Sequence, residues 1–322
     1  MKLKVGNDLH EVSPHIEINR STKVIMQDVV IAMIPALLGA IYFFGFNSLI
    51  LVLAAVTTCV LSEYFWQKIR KEQLTVSDWS TVVTGMLIAF NVPSTTPIWA
   101  VMVASIFAII VVKQFFGGIG SNFANPALMG RALLIFLWPA SISGYVTTYH
   151  SATDAISSAT VLGLYKTGSD FSRFSKWDMI IGNIPGCIGE TSALLLLIGF
   201  AYLCYRRVVN IGATSAYILT VLLVTYVFAR DGLFRGDILT NLLSGGLILG
   251  ACFMMTDYAS VAPRVKVTLA IIAGLITAGI RLWGMLPEGV SYGILVANCL
   301  SGIIEIIIRP HIYGVKVRKH KG

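Results

Sequence analysis

The run D-A-I-S-S-A-T at residues 154–160 combines one carboxylate with three hydroxyl groups among small side chains. Small residues leave the backbone slim, so an enzyme can approach an exposed run of this kind closely and modify one of its hydroxyls. The run is therefore compatible with modification of a hydroxyl, and Thr160 is its last one. The alternative is an ordinary surface loop rich in serine and threonine.

Charged residues in apolar segments are the second group of candidates, because charge within a bilayer usually marks an ion or proton path. The acidic residues next to such segments fall near their ends, at Asp28, Glu63, Glu190, Asp257 and Glu305. We interpret these as interfacial or packing residues. Arg131 differs, since it follows Asn125-Pro126 by one or two helical turns. It is a candidate for an ion pair with Asp257 or for binding the polar edge of a cofactor.

The five cysteines form no recognisable metal motif. No two of them are closer than 17 residues, which excludes a local C-x-x-C clip but not ligands contributed one per subunit. We predict no metal site in this chain and no catalytic residue that acts in the chain alone.

The composition is typical of a protein that crosses a membrane many times. Of the 322 residues, 56% are hydrophobic and 12% are charged, whereas a soluble domain carries about twice that share of charge. The net charge of +8 comes from short basic clusters between apolar runs. Such clusters are typical of topology signals and argue against a nucleic-acid partner.

Ten apolar segments are long enough to cross a hydrocarbon core of about 30 Å, some of them only when tilted or broken. They lie at 24–45, 48–66, 79–92, 97–115, 126–142, 191–206, 211–229, 238–256, 264–281 and 291–309. With the N-terminus inside, 17 lysines and arginines fall on the inner side and six on the outer side. This bias predicts that both termini are cytoplasmic and that the Thr160 loop faces outward.

The segments predict two halves joined by one long loop. We divide the chain into a cytoplasmic segment 1–23, a first five-helix repeat 24–142, an outer loop 143–190, a second five-helix repeat 191–309 and a basic cytoplasmic tail 310–322. Matching positions, such as Gly85 with Gly246 and Pro97 with Pro263, are separated by 161 to 167 residues. A repeat of five spans is odd, so the halves must run in opposite directions through the membrane.

Both halves contain a short, interrupted helix, predicted to break at 91–93 in the first half and at 257–263 in the second. Broken helices at matching positions predict a cavity or ligand site between the halves. The alternative is that their small residues only let helices pack closely. Because no carboxylate falls mid-segment, we expect any ion path to use hydroxyls and broken-helix carbonyls of this chain, or to lie outside it.

The run 154–160 resembles the D-x-x-[ST]-G-A-T signature at which a flavin transferase attaches FMN. In proteins with this signature the transferase cleaves FAD and joins the FMN phosphate to the threonine hydroxyl. The resemblance implies that Thr160 is the attachment residue; Asp154, Ser157, Ser158 and Ala159 complete the motif. Ser158 stands where glycine is usual, so we expect modification to persist at a lower rate.

Later segments extend the resemblance. The runs G-C-I-G-E-T-S-A-L at 186–194, L-S-G-G at 243–246 and G-A-C-F-M-M-T-D at 250–257 resemble the family that contains the D subunit of the Rnf complex and the B subunit of the sodium-pumping NADH:quinone reductase. The likeness covers the chain from about residue 20 onward. The quinone-reductase protein has a longer N-terminal extension than the 23 residues found here before the first segment. We therefore interpret the chain as closer to the Rnf branch.

This resemblance implies a membrane electron-carrier subunit of a complex that passes electrons between ferredoxin and NAD and moves Na+ or H+ across a bacterial or archaeal cell membrane. It implies an all-α fold of ten transmembrane helices in a 5+5 inverted repeat, similar to that of urea transporters. The implied cofactors are FMN, covalently bound to Thr160, and noncovalent riboflavin, with Arg131 as a candidate contact. The implied partners are the A, B, C, E and G subunits of Rnf, the FAD-dependent FMN transferase and the lipid bilayer.

Three alternatives stay open. The first is the B subunit of a Na+-translocating NADH:quinone reductase. The second is a solute channel or transporter of urea-transporter-like fold, which the repeat alone favours. The third is a structural membrane subunit in which Thr160 is unmodified. Flavin on Thr160 would exclude the second and third.

Overall fold

The chain folds as helices joined by short loops in the computed structural model, which describes residues 21–120, 122–146, 159–169, 174–190, 192–229, 232–255, 263–284 and 288–307. The α-helices are α1 Thr22–Phe44, α2 Phe46–Arg70, α3 Ser80–Phe90, α4 Ile98–Phe107, α5 Pro126–Leu137, α6 Val161–Thr167, α7 Lys176–Ile181, α8 Ala193–Tyr205, α9 Ile211–Val227, α10 Ile238–Leu243, α11 Leu247–Leu249, α12 Pro263–Trp283 and α13 Val290–Ile307. Single 3-10 turns lie at Val76–Asp78 and Pro139–Ser141.

Among the described residues, four helices are long and apolar enough to cross a membrane: α1, α2, α13 and the Val265–Trp283 part of α12. Shorter apolar helices, of 10–17 residues, lie at Ser80–Phe90, Ile98–Gln114, Pro126–Leu137, Ala193–Tyr205 and Ile211–Val227. The ten predicted segments all coincide with helical structure, and most boundaries agree within a few residues. The composition and these helices identify a multi-pass membrane protein.

Two of the described helices change from α-helical to π-helical hydrogen bonding along their length. Helix α4 continues as a π-helix over Ala108–Gln114, and α11 continues as a π-helix over Gly250–Met254. A π-helix closes each turn with an i→i+5 hydrogen bond and is therefore wider than an α-helix. The first of these segments carries Lys113, which is buried.

The interrupted helix of the second half breaks before Leu247. Helix α10 ends at Leu243, and Gly245 and Gly246 then adopt φ values of 70° and 66°. Glycine adopts this left-handed conformation without steric cost, so consecutive glycines end the helix sharply. The break predicted at 257–263 falls mostly outside the described residues. In the first half, α3 ends at Phe90, in agreement with the predicted interruption at 91–93.

Helix packing places the ends of α3 beside several other elements. Helix α2 packs against α3 and α4, α9 packs against α12, and α1 packs against α8. The segment before α8 also reaches α3, because Ile188 N donates to Val92 O and Gly189 N donates to Phe90 O, each at 3.0 Å. A Cβ at Gly189 would overlap the Phe90 ring, so glycine is required for this approach. These contacts place Glu190 next to the end of α3.

Candidate functional site

Arg131 joins three parts of the chain. Helix α5 starts at Pro126, where Asn125 accepts hydrogen bonds from two backbone N–H groups, and this cap directs Arg131 inward. Its side chain is 6% exposed. Arg131 Nη1 donates to Asn91 Oδ1 at 3.1 Å and to Glu190 Oε1 at 3.3 Å, and Nη2 donates to Glu288 Oε2 at 2.5 Å. We call Arg131, Glu190 and Glu288 the outer cluster, after the side of the membrane on which the sequence predicts residue 190; the inner cluster below is named in the same way.

The sequence singled out Arg131 but not its partners. Asp257, the predicted partner, lies outside the described residues. Glu190 was interpreted as an interfacial or packing residue, and the structure buries it in an ion pair. Glu288 went unnoticed because it stands alone in a loop 157 residues after Arg131. The G-C-I-G-E-T-S run was the only signal that pointed towards Glu190.

The outer cluster has two carboxylates for one guanidinium. Burial raises the pKa of Glu190 to about 8; the charge of Glu288 adds to this shift, and Arg131 opposes it. Burial also raises the pKa of the Cys187 thiol well above its ordinary range. Near neutral pH, one proton on Glu190 therefore leaves the cluster with balanced charge.

A thiol and two carboxylates in this cluster lie close enough to suggest a metal. Ligand atoms of Cys187, Glu190 and Glu288 lie within 4.8 Å of one another. Arg131 already binds both carboxylates, so the two acidic groups act as ion-pair partners in this structure.

A cavity of about 240 Å3 adjoins the outer cluster. It is lined by Arg131, Ile135, Pro139, Ile142, Ser143, Tyr145, Glu288, Ser291 and Tyr292. Apolar walls with a few convergent polar groups are typical of sites for small organic ligands.

Thr160 is buried at the start of α6, with 7% exposure. Its Oγ1 accepts a hydrogen bond from Gly163 N at 3.2 Å and so caps the helix. The expectation that Thr160 lies on an exposed run was wrong, because the residues after it form a short helix that the polar pattern did not reveal. Ala159 is exposed, whereas Asp154, Ser157 and Ser158 lie outside the described residues.

Helix α6 also connects Thr160 with the outer cluster. The Leu162 side chain, two residues after Thr160, lies against Gly245. A Cβ at Gly245 would lie 3.6 Å from Glu288 Cγ, and a Cβ at Gly246 would lie 2.5 Å from Glu190 Oε1. The glycine pair therefore separates Leu162 from the two carboxylates by a single layer of backbone.

A second ion pair, which we call the inner cluster, is buried at the start of α3. Lys113 Nζ donates to Glu63 Oε2 at 2.9 Å and to Ser80 Oγ at 2.6 Å. Gln67 Nε2 and Thr75 Oγ1 donate to Glu63 Oε1 at 3.1 Å and 2.9 Å. The Glu63 side chain is completely buried, so it belongs to a buried ion pair and not to an interface. Sequence patterns do not indicate this pair, because its partners lie 50 residues apart.

Comparisons with known proteins agree on one family over nearly the whole chain. The NQR2, RnfD, RnfE family matches residues 9–314. The chain is 45% identical to the D subunit of the Na(+)-translocating ferredoxin:NAD(+) oxidoreductase complex of Acetobacterium woodii, with 95% of this chain and 96% of the relative covered. It is 34% identical to the D subunit of the proton-translocating ferredoxin:NAD(+) oxidoreductase complex of Clostridium ljungdahlii, covering 94% and 95%.

A more distant relative agrees with these two. The D subunit of the ion-translocating oxidoreductase complex of Escherichia coli is 30% identical, and the match covers 94% of this chain and 97% of the relative. The family match and the three full-length relatives lead to one conclusion: the chain belongs to the NQR2, RnfD, RnfE family.

Proposed function

We propose that this chain is the D subunit of an ion-translocating ferredoxin:NAD oxidoreductase (Rnf) complex. The observation that carries the proposal is the match along nearly the whole chain to three relatives, each of them named as the D subunit of an ion-translocating oxidoreductase complex. The activity belongs to the assembled complex, with the A, B, C, E and G subunits of Rnf as partners. The chain contributes electron transfer coupled to Na+ or H+ movement.

We propose ten spans in a 5+5 inverted repeat, with both termini in the cytoplasm and the Thr160 loop outside. Corresponding helices start at similar separations: α2 and α9 at Phe46 and Ile211, and α5 and α13 at Pro126 and Val290. Corresponding helices also pack together, α1 with α8 and α5 with α13. Contacts between corresponding elements are expected near the pseudo-two-fold axis of an inverted repeat.

Covalent FMN on Thr160 is compatible with the surroundings of that residue at the start of α6. A phosphoester oxygen can still accept the Gly163 N–H, and the start of α6 favours negative charge. A Cβ at residue 163 would lie 3.2 Å from Thr160 Oγ1, so glycine leaves room beside the attachment atom. When bound, the flavin would pass electrons one at a time.

The cavity at the outer cluster is the place we assign to the ring of that cofactor. Arg131 and the Tyr145 hydroxyl supply hydrogen-bond donors, while Ile135 and Ile142 supply apolar walls. Arg131 would orient the polar edge of the ring, and Glu190 would hold a proton close to it. Water exclusion by the apolar walls would strengthen both interactions.

A smaller cavity, of about 90 Å3, lies beside the inner cluster. Its walls include Leu87 and Phe253, and its polar groups include Lys113 and Asn122. Asn122 Oδ1 is buried without a hydrogen-bond partner among the described residues, so it is an acceptor available to a small polar ligand. The cavity is smaller than a flavin ring, so we do not assign the noncovalent riboflavin to it.

Flavin fluorescence of the denatured subunit tests the attachment. In complex co-expressed with the transferase, we expect the wild-type band to fluoresce on a denaturing gel and the band of Thr160→Ala to be dark. Thr167→Ala is the matched control, because Thr167 lies exposed on the same helix. Its band should match the wild type. Fluorescence in Thr160→Ala, or a dark wild-type band, would exclude covalent flavin at Thr160.

A further inference from the structure

Arg281 is a buried cation whose hydrogen-bond partners are backbone carbonyl groups. It lies in the last turn of α12 and is 5% exposed. Arg281 Nη1 donates to Asn241 O at 2.6 Å, and Nη2 donates to the carbonyl oxygens of Ser244 and Gly245, each at 3.2 Å. Within the described part of the chain, no carboxylate forms an ion pair with it.

These carbonyl oxygens form the break between α10 and α11. The last carbonyl groups of a helix have no partner within the helix and carry partial negative charge. Unwound carbonyls and half-helix C-termini are what membrane carriers use to coordinate Na+. At this break the same atoms instead surround a planar guanidinium, which has five donors.

The break binds the two terminal nitrogens of the guanidinium, while Arg281 Nε is buried without a hydrogen-bond partner among the described residues. A Cβ at Gly245 would lie 3.2 Å from Arg281 Nη2, and the residue already has φ of 70°. A side chain at 245 would therefore press on Arg281 and strain the backbone. The glycine lets the carbonyl groups of Ser244 and Gly245 converge on one nitrogen.

We propose that the break at 244–246 is a monovalent cation site that the Arg281 guanidinium fills permanently. The guanidinium fixes the break and keeps free Na+ out of it. An ion path that uses broken-helix carbonyls must then avoid this break. The assignment depends on Arg281 and its carbonyl partners alone, so it stands whether or not Thr160 carries flavin.

Chemical rescue of Arg281→Ala in the assembled complex tests the proposal. We expect the substitution to lower the apparent unfolding temperature by about 5 °C, since it leaves buried carbonyls unpaired. Millimolar guanidinium chloride should restore at least half of the loss and NaCl a smaller part of it, whereas choline chloride at the same ionic strength, with a cation too large for the break, should restore nothing. Wild type and Arg70→Ala, which removes an exposed arginine, should gain nothing from guanidinium.

Several results would overturn the proposal: an unchanged unfolding temperature in Arg281→Ala, equal rescue by choline chloride, or a gain of the same size in Arg70→Ala. If Arg281→Ala does not assemble, Arg281→Lys and Arg281→Gln replace it. The lysine variant keeps the charge, whereas glutamine keeps only a neutral donor. Lysine should be the more stable of the two, and glutamine equal to or above lysine would contradict a cation site.

Discussion

The two ends of α3 lie beside two buried ion clusters that differ in their balance of charge. Ser80, at its start, contacts the inner cluster, in which Lys113 meets one carboxylate, that of Glu63. Asn91, just after its end, contacts the outer cluster, in which Arg131 meets two carboxylates. The inner cluster is therefore neutral with both groups charged, whereas the outer cluster is neutral only when it holds a proton.

This difference separates a structural role from a chemical one. Glu63 accepts hydrogen bonds on both oxygens, so changing its charge would disrupt a complete network. Glu190 has a raised pKa and lies near a cavity large enough to admit a ligand group. We therefore expect the inner cluster to determine stability and the outer cluster to respond to pH and to a bound cofactor.

The largest effect is expected from Lys113→Ala. It leaves the Glu63 carboxylate buried without a cation, which costs about 3 to 5 kcal/mol of unfolding free energy. Thermal unfolding of the purified complex measures the loss. Adding Glu63→Gln should recover most of it, because the remaining group is then neutral. Arg70→Ala is the control, since its pair with Glu72 is exposed; failure of the double variant to recover would show that the pair is not what Lys113 stabilises.

Arg131→Ala should lower the free energy of unfolding by less than Lys113→Ala does, by about 2 kcal/mol, although it leaves two carboxyl groups without their guanidinium. The smaller loss follows because Glu190 already holds a proton near neutral pH, so Glu288 is the one carboxylate left unpaired, and its side chain is 10% exposed whereas that of Glu63 is fully buried. The same unfolding measurement applies. A loss equal to that of Lys113→Ala would contradict the contrast between the clusters.

The third-largest effect is expected in the pH dependence of stability, which Glu190→Gln should change. The pKa of Glu190 is raised on folding from 4.5 to about 8, so its contribution to stability is present below the lower value and is lost progressively as pH rises through the higher one. The last part of this loss, between about pH 7 and about pH 9, should amount to about 1.4 kcal/mol in the wild type. Glu190→Gln should lack this loss, while Glu72→Gln should retain it. Parallel pH profiles in wild type and Glu190→Gln would argue against the raised pKa.

The smallest effect on stability is expected at Thr160. Thr160→Val removes the cap of α6 and should cost no more than about 1 kcal/mol, while Thr160→Ser should cost almost nothing. Unfolding of complex produced without the transferase isolates this effect from that of the flavin. A loss above that of Arg131→Ala would mean that Thr160 supports the fold more than a helix cap does.

The sequence located the apolar helices because hydropathy and length determine which segments a bilayer accepts. It also singled out Arg131, since a lone charge in an apolar helix is conspicuous. It did not reveal Glu288 or the Lys113–Glu63 pair, because their partners come from distant parts of the chain. The burial of Thr160 was missed for a different reason: a helix of seven residues is too short for a periodic signal.

Lys113 of the inner cluster lies in the π-helix Ala108–Gln114. Its position therefore depends on the number of residues in that segment as well as on their types. A π-helical turn, closed by an i→i+5 hydrogen bond, contains more residues than an α-helical turn. Deleting one residue before Lys113 would move the lysine to the place of Val112, which is turned by about 100° around a helix axis. The ammonium group would then turn away from Glu63, so a single-codon deletion would abolish the pair without substituting either partner.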